Sequence, residues 1–285
     1  MTITAAQVNE LRKKTGAGMM DCKSALVEAD GDMIKAVEIL RKKGTAVAAK
    51  RADRSANEGI ILTKISDDKK RGSILEINCE TDFVAKSEDF VKLADKAIKT
   101  AFEKRDDSVN KLLEKNPDLN DMLNDVLGKV GEKIEISRLA NEEASNGLLV
   151  DYIHPGSKLG VMVKFDNVNN SSDELVDLGK DVAMQIAAMN PLCVTREEVE
   201  KETIEKEIEI YKEISRKEGK PEQILEKIAH GKLNKFYQEN VLLEQAFIKD
   251  NSKTVSDLIK EYNLKHKSDS KIKLFHRFHL GDEKK

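Results

Sequence analysis

The chain has 285 residues, with 49 basic against 52 acidic side chains and a formal net charge of -3. That length can bury a sizeable core and make two or more domains. The near-balance of charge excludes both the basic excess of a dedicated nucleic-acid binder and an acidic solvating tail. Cys22, Cys79 and Cys193 lie far apart, with neither a disulfide framework nor a metal-ligand spacing, which points to a reducing compartment. The start, Met1-Thr2-Ile3-Thr4, carries no basic or apolar leader, and no apolar run approaches the roughly 18 residues of a membrane span. A soluble, cytoplasmic protein is expected.

Residues 1–54 read as a three-helix domain. Thr4 with Gln7 fits a capping box and Ile3 with Val8 its hydrophobic staple, before Gly16-Ala17-Gly18 breaks the helix. Cys22, Ala25, Leu26 and Ala29 then share one face of a second helix, and Met33, Ala36, Val37 and Leu40 one face of a third. At this spacing Cys22 is packing. Met19 and Met20 precede the second helix and read either as one core and one surface methionine or as an adaptable contact patch. The basic run from Arg41 to Arg54, through Lys42, Lys43, Lys50 and Arg51, is a solvated helix end or linker, or else a phosphate-binding patch.

The middle of the chain reads as an internal duplication with α+β character. Gly59 to Ile65 and Ser73 to Cys79 are strands around the charged turn Asp67 to Gly72. A helix follows with Phe90, Leu93, Ala94, Ala97, Ile98 and Ala101 on one face, then more helix around Met122 to Val130. The strand Lys133 to Arg138 closes this first unit, residues 55–146. The pattern recurs in strands Gly147 to Ile153 and Leu159 to Phe165, joined by His154-Pro155-Gly156-Ser157-Lys158. A helix through Leu175, Leu178, Val182, Ile186 and Met189 follows, and the matching last strand, Ile272 to Leu280, comes only at the end. Two β-β-α-β units are expected, each an antiparallel sheet covered by helix on one face. The second unit spans 147–194 and 246–282, interrupted by a charge-dense insertion at 195–245. There Val199, Ile204, Ile208, Tyr211 and Ile214 form a thin stripe, Gly219-Lys220-Pro221 turns the chain, and Ile224, Leu225, Ile228, Leu233 and Phe236 form another. These predict an antiparallel helical hairpin with a coiled-coil-like seam.

Motifs for chemistry are scarce. His154, His230, His266, His276 and His279 have no metal-ligand spacing, and neither phosphate-binding glycine motif is present, so neither metal nor nucleotide cofactor is expected. Cys79 ends a buried strand, where packing outweighs a thiol nucleophile. The chain reads as a non-enzyme. Two turns stand out, because turns carry function more often than cores. One is Thr81-Asp82-Phe83-Val84, which puts an acid beside a large ring at a strand-to-helix junction; the other is His154-Pro155-Gly156. On an inward reading Phe83 caps its own core and Asp82 caps the next helix. On an outward reading the ring enters a partner.

Leu11-Arg12-Lys13-Lys14-Thr15-Gly16-Ala17-Gly18-Met19-Met20-Asp21-Cys22-Lys23 closely resembles the N-terminal signature of the bacterial elongation factor Ts family, and Glu76 to Ala85 its second signature. Lys129-Val130-Gly131-Glu132, Leu159-Gly160-Val161, Ala183 to Ala188 and Ser252 to Val255 continue the match through nearly the whole chain. The resemblance implies a guanine-nucleotide exchange factor for elongation factor Tu in translation. It implies a ubiquitin-associated-like domain at the N-terminus, contacting the GTPase through Arg12, Met19 and Met20, a core of two related subdomains, and a coiled-coil insertion open to dimer contacts. Thr81, Asp82, Phe83 and Val84 would enter the GTPase domain, with Phe83 wedging between helices and Asp82 disturbing the bound magnesium. Val130 and Gly131, at the family's Ile-Gly position, would contact the same domain, and His154 would touch the partner from the second subdomain. Past the last strand only Gly281-Asp282-Glu283-Lys284-Lys285 stands where some members carry a further helical module. The competing expectations are an adaptor that binds proteins or RNA without exchange activity, and a thiol enzyme using Cys79.

Overall fold

In the structure, a computed structural model that describes residues 3–51, 53–168 and 172–282 (backbone alone over 44–51), Thr4 opens the first helix with the expected capping box. Helix α1 (Ala5–Thr15) ends at Gly16 in the left-handed conformation, φ 69°, where glycine carries no Cβ penalty. Helices α2 (Met19–Glu28) and α3 (Met33–Arg51) complete a cluster around Leu11, Cys22, Leu26 and Ala36. Met19 and Met20 are 51% and 72% exposed, so the expectation that one of them fills the core fails. Both begin α2, and its inner face is already taken by Cys22, Ala25 and Leu26.

The basic run continues α3 as helix to Arg51. Three of its cations are engaged with carboxylates: Arg41 with Asp121 and Asp125 of a later helix (3.7 and 3.9 Å), Lys43 with Asp21, and Arg54 with Glu80 (3.0 Å). The side chains of Lys50 and Arg51 lie outside the described residues.

Strands β1 (Glu58–Ile65), β2 (Arg71–Cys79) and β3 (Ile134–Glu143) form one antiparallel sheet in that order. After helices come β4 (Gly147–Ile153), β5 (Leu159–Asp166) and, late in the chain, β8 (Lys271–His279), which form the second in the equivalent order. Each sheet carries a register shift between its second and third strands, at Glu76/Ile77 and at Lys164/Phe165. The repeat thus extends to an irregularity of the ladder.

Helices cover one face of each sheet. Between β2 and β3 run α4 (Asp82–Ala85), α5 (Glu88–Lys104), α6 (Val109–Lys115) and α7 (Pro117–Val130). Phe90, Leu93, Ala97, Leu119 and Val126 pack on Leu75 and Ile77, which all point to the same side of β2. Helix α8 (Asp173–Met189) covers the second sheet through Leu175, Val182, Ala183 and Ile186 against Val150, Val163 and Phe165.

The sequence pattern assigns no cover to the opposite faces. Instead they meet: Ile61 and Ile74 pack against Leu149, Met162, Phe278 and Leu280 in one apolar layer. This is why β2 is buried on both faces from Gly72 to Cys79. Glu76, 2% exposed, sits in that layer paired with Arg138 at 2.5 Å; Arg138 also donates to the His279 carbonyl (2.9 Å) and lies over the Phe278 ring. Its partners satisfy a charge that would otherwise be costly to bury.

The insertion forms α9 (Lys201–Lys217) and α10 (Glu222–Asn240), packed side by side, with Val199, Leu233 and Phe236 buried at the body end. Ile214 and Ile224, expected in the seam, are exposed beside the connecting turn. A small hairpin, β6 (Ala246–Phe247) and β7 (Asp250–Thr254), leads into α11 (Val255–His266), which packs Val255, Ile259 and Tyr262 on the α8 core. Helix α11 went unrecognised in the sequence.

If the apolar layer between the sheets holds the body together, Ile74→Ala lowers the free energy of urea unfolding by about 2–5 kcal/mol. Ile210→Ala, on an exposed part of the insertion, shifts it by less than about 0.5 kcal/mol.

Candidate functional site

Strand β2 ends at Cys79, and Glu80 and Thr81 carry the chain off the sheet. Thr81 is extended (φ -128°, ψ 155°), and its hydroxyl accepts the Val84 N–H at 3.4 Å, so Thr81 is the N-cap of the four-residue helix α4. Ser87 caps α5 in the same way, accepting from Phe90 N. Asp82 therefore caps neither helix. Its carboxylate pairs with Lys86 at 2.7 Å, and that hydrogen bond, helped by the charges of Lys86 and then Lys158, holds the Asp82 carboxyl below the usual carboxylate range.

Within α4 the inner positions belong to Ala85, which is buried, and Val84, which packs against the first core. Phe83 faces water with 82% of its surface exposed. The inward reading of Phe83 fails because one helical turn gives the core two contact positions, and smaller side chains hold them.

The turn is footed on the loop after α7. That helix ends at Gly131, φ 68°, where an added Cβ would meet nothing within 4 Å, so glycine is required for its backbone conformation and not for space. Beyond it, Glu132 accepts from Thr81 N (3.1 Å) and Thr81 Oγ1 (2.9 Å). Glu80 accepts from Lys133 N (2.6 Å) and Arg54 Nη1 (3.0 Å). Val130 is half-buried against the same core.

The other turn singled out in the sequence lies at the same end of the molecule. Ile61 N donates to the Ser157 carbonyl (2.7 Å), Lys158 pairs with Glu58 (2.7 Å), and Glu58 is the β1 residue opposite Cys79. His154 is exposed, its Nδ1 sharing a 2.8 Å hydrogen bond with Tyr152 Oη. The structure thus brings together Thr81 to Val84, Val130, Gly131 and His154. Arg12, Met19 and Met20 are exposed on the three-helix cluster, which is joined to the site by Lys129. That side chain lies over Gly16, with its Cε 2.8 Å from where a Cβ would stand, and pairs with Asp89 at 3.5 Å. Glu80, Lys86, Glu132 and Lys158 were not picked out by sequence reasoning, which reads an isolated charge near a turn as a solvated face.

No enclosed chemistry competes with this surface. Among the described residues no group of three or more His, Cys, Asp or Glu could hold a metal ion. A cavity of about 390 Å³ between the three-helix cluster and α7 is lined by Lys14, Asp21, Arg41, Lys43, Asp125 and Lys129, and its cations are taken up by carboxylates. Cys79 is fully buried, its Sγ donating to the Thr81 carbonyl (3.1 Å), and burial, with the Glu132 charge, pushes its thiol up to about 12.

Fold and site together define a class: an α+β protein that presents an aromatic-tipped turn to solvent. The chain belongs to the elongation factor Ts family. The family model described as Elongation factor TS matches residues 80–282. The elongation factor Ts of Chloroherpeton thalassium is 48% identical over 288 residues, covering 99% of both chains. That of Chlorobaculum tepidum is 49% identical over 98% of this chain and 99% of its own. That of Clostridium botulinum is 43% identical over 98% of this chain and 93% of its own. Membership makes the protein an elongation factor of protein biosynthesis. No helix among the described residues is long and apolar enough to cross a membrane.

A thiol held up to about 12 is neutral at pH 8, whereas in the unfolded chain it returns toward about 8.5. Iodoacetamide at pH 8 is therefore expected to leave Cys79 unmodified in the native protein and to alkylate it fully in guanidinium, as peptide mass mapping reads out.

Proposed function

We propose that this protein is a guanine-nucleotide exchange factor that acts on elongation factor Tu in the cytoplasm, catalyses no covalent step itself, and promotes GDP release by inserting the Thr81–Val84 turn near the partner's nucleotide. The observation that carries the reading is Phe83, a large apolar side chain held 82% exposed at the tip of a capped turn.

A GTPase holds GDP through backbone amides around the phosphates and through Mg²⁺. Exchange then comes from binding a distorted partner better than the GDP-bound one, since a ligand shifts an equilibrium only by its differential affinity. Burying a side chain the size of Phe83 in an apolar slot is worth about 1.5–3 kcal/mol, which corresponds to roughly ten- to a hundredfold. Asp82, ionised beside Phe83, is placed to compete for or repel the groups that hold magnesium. Val130, Gly131 and His154, at the same end of the molecule, supply further contact.

In the same reading residues 1–54 form a ubiquitin-associated-like domain that docks on the GTPase domain through Arg12, Met19 and Met20. Residues 55–146 form the first core subdomain, and 147–194 with 246–282 the second. Residues 195–245 form a coiled-coil insertion that reaches the partner or a second copy. An RNA-binding adaptor finds less support, because Arg41, Lys43 and Arg54 of the basic run are each paired with a carboxylate.

The test is release of fluorescent GDP from elongation factor Tu. The protein is expected to accelerate it strongly, and Phe83→Ala to lose roughly tenfold or more of that acceleration while unfolding within about 0.5 kcal/mol of the parent. Full acceleration by Phe83→Ala would move the mechanism to Asp82 and the wider interface. No acceleration by the parent protein would overturn the reading.

A further inference from the structure

The reciprocal bonds beneath the turn have a purpose that the surface contacts do not account for. Residues 80 and 81 face residues 132 and 133, and each segment lends the other one carboxylate: Glu132 takes the N–H and O–H of Thr81, and Glu80 takes the N–H of Lys133. Carboxylates that accept backbone and hydroxyl protons make charge-assisted bonds, about twice as strong as neutral ones. The partners are 51 and 53 residues apart in sequence, so these bonds are tertiary and do not merely close a local turn.

We propose that Glu132 is a positioning residue for nucleotide exchange, its carboxylate setting the angle at which the Thr81–Val84 turn presents Phe83. The inference rests on the exchange reading and assigns to that site a residue that acts through Thr81, whose N–H and O–H it binds.

A single hydroxyl couples Glu132 to the turn. Thr81 Oγ1 donates to Glu132 at 2.9 Å and accepts from Val84 N at 3.4 Å. Glu132 takes the hydroxyl proton, which leaves a lone pair facing the Val84 amide, the third of α4. The direction of the N-cap is thereby fixed from outside the helix. A four-residue helix cannot hold its own direction, because helix nucleation fixes several residues for one hydrogen bond. Packing of Ala85 and Val84 sets the depth of α4, and two bonds from one carboxylate to Thr81 set its rotation. Phe83, which makes no inward contact to orient it, inherits that rotation.

Glu132 is itself aimed. Gly131 in the left-handed conformation turns the chain out of α7 directly before it, and Glu80 pins Lys133 directly after it. Arg54, just beyond α3, binds the other oxygen of Glu80, and Lys133 Nζ returns to the Arg54 carbonyl at 3.0 Å. The connection from the three-helix cluster is therefore tied to the base of the turn, so that a partner gripping both meets them in a fixed relation.

A positioning role predicts loss of maximal rate with little loss of binding, since the rest of the interface is untouched. The experiment is stopped-flow release of fluorescent GDP from elongation factor Tu with the full chain, Glu132→Ala, Thr81→Ala and the double variant, across a range of factor concentrations. Amide hydrogen exchange is followed on the same free proteins. Glu132→Ala is expected to lower the rate at saturation by about tenfold and to move the half-saturating concentration by less than about twofold. The double variant should be within about twofold of the slower single, because both changes remove the bond from the Thr81 hydroxyl to the Glu132 carboxylate. Exchange at Thr81–Ala85 should quicken while β1, β2 and α5 keep their protection.

Multiplying effects in the double variant, or a saturated rate equal to the parent's, would overturn the proposal. So would protection lost evenly across the protein, which marks a merely structural residue. If the parent itself fails to release GDP, the exchange reading falls. The hydrogen-exchange result still reports whether Glu132 sets the turn.

Discussion

The apolar layer between the two sheets is the constraint from which the rest of the molecule follows. Ile61 and Ile74 from one sheet and Leu149, Met162 and Phe278 from the other fill it. The sheets come close enough that a Cβ on Gly160 would stand 2.6 Å from Ile61 Cγ2, and one on Gly72 2.7 Å from Met162 Sδ. Interiors packed to crystal-like density transmit position. Once the sheets are locked back to back, the exit of β2 at Thr81 and the β4–β5 turn at His154 emerge at one end, bridged by Glu58 and Lys158. The helices, displaced to the outer faces, leave that end clear.

An exposed Phe is common on protein surfaces and by itself means little. Phe83 differs because its neighbours are committed. Thr81 is fixed by Glu132, Asp82 is neutralised locally by Lys86, and Val84 and Ala85 are given to the core. What is left free is one ring, on a support too short to fold it away. Binding such a ring costs little ordering entropy, because its backbone is already ordered, and preorganisation of that kind raises affinity without adding contacts. Asp82 and Lys86 form an exposed pair that contributes little to stability, so a partner can separate them cheaply.

How far the sequence was legible depended on how local each feature is. The Thr4–Gln7 capping box, the stripe from Phe90 to Ala101 and the alternation from Leu159 to Phe165 involve residues a few positions apart, and each reappears in the structure. Helix α11 escaped although Val255, Leu258, Ile259 and Tyr262 carry the helical spacing, in a stretch where Leu264 falls on the exposed side. Met19 was ambiguous because periodicity says which face a residue takes but not whether that face is already full. The packing of sheet on sheet was invisible, since a strand buried on both faces reads only as a continuous apolar run. The footing of the site was the least legible of all. Glu80 and Glu132 each look like a surface acid, and only the fold brings them to backbone amides more than 50 residues away. The turn itself could be picked out as an acid beside a ring, whereas the direction in which the ring points came only from the structure.

An exchange factor must prefer a partner that has let go of its nucleotide. The most direct measurement is calorimetric titration of the protein into elongation factor Tu, nucleotide-free and GDP-loaded, set beside the affinity of that partner for GDP with and without the protein. Linkage requires the two ratios to be equal. The account predicts that GDP weakens binding of the protein by the same large factor by which the protein weakens binding of GDP. Equal affinity for the two forms would contradict it, however tight that affinity proved to be.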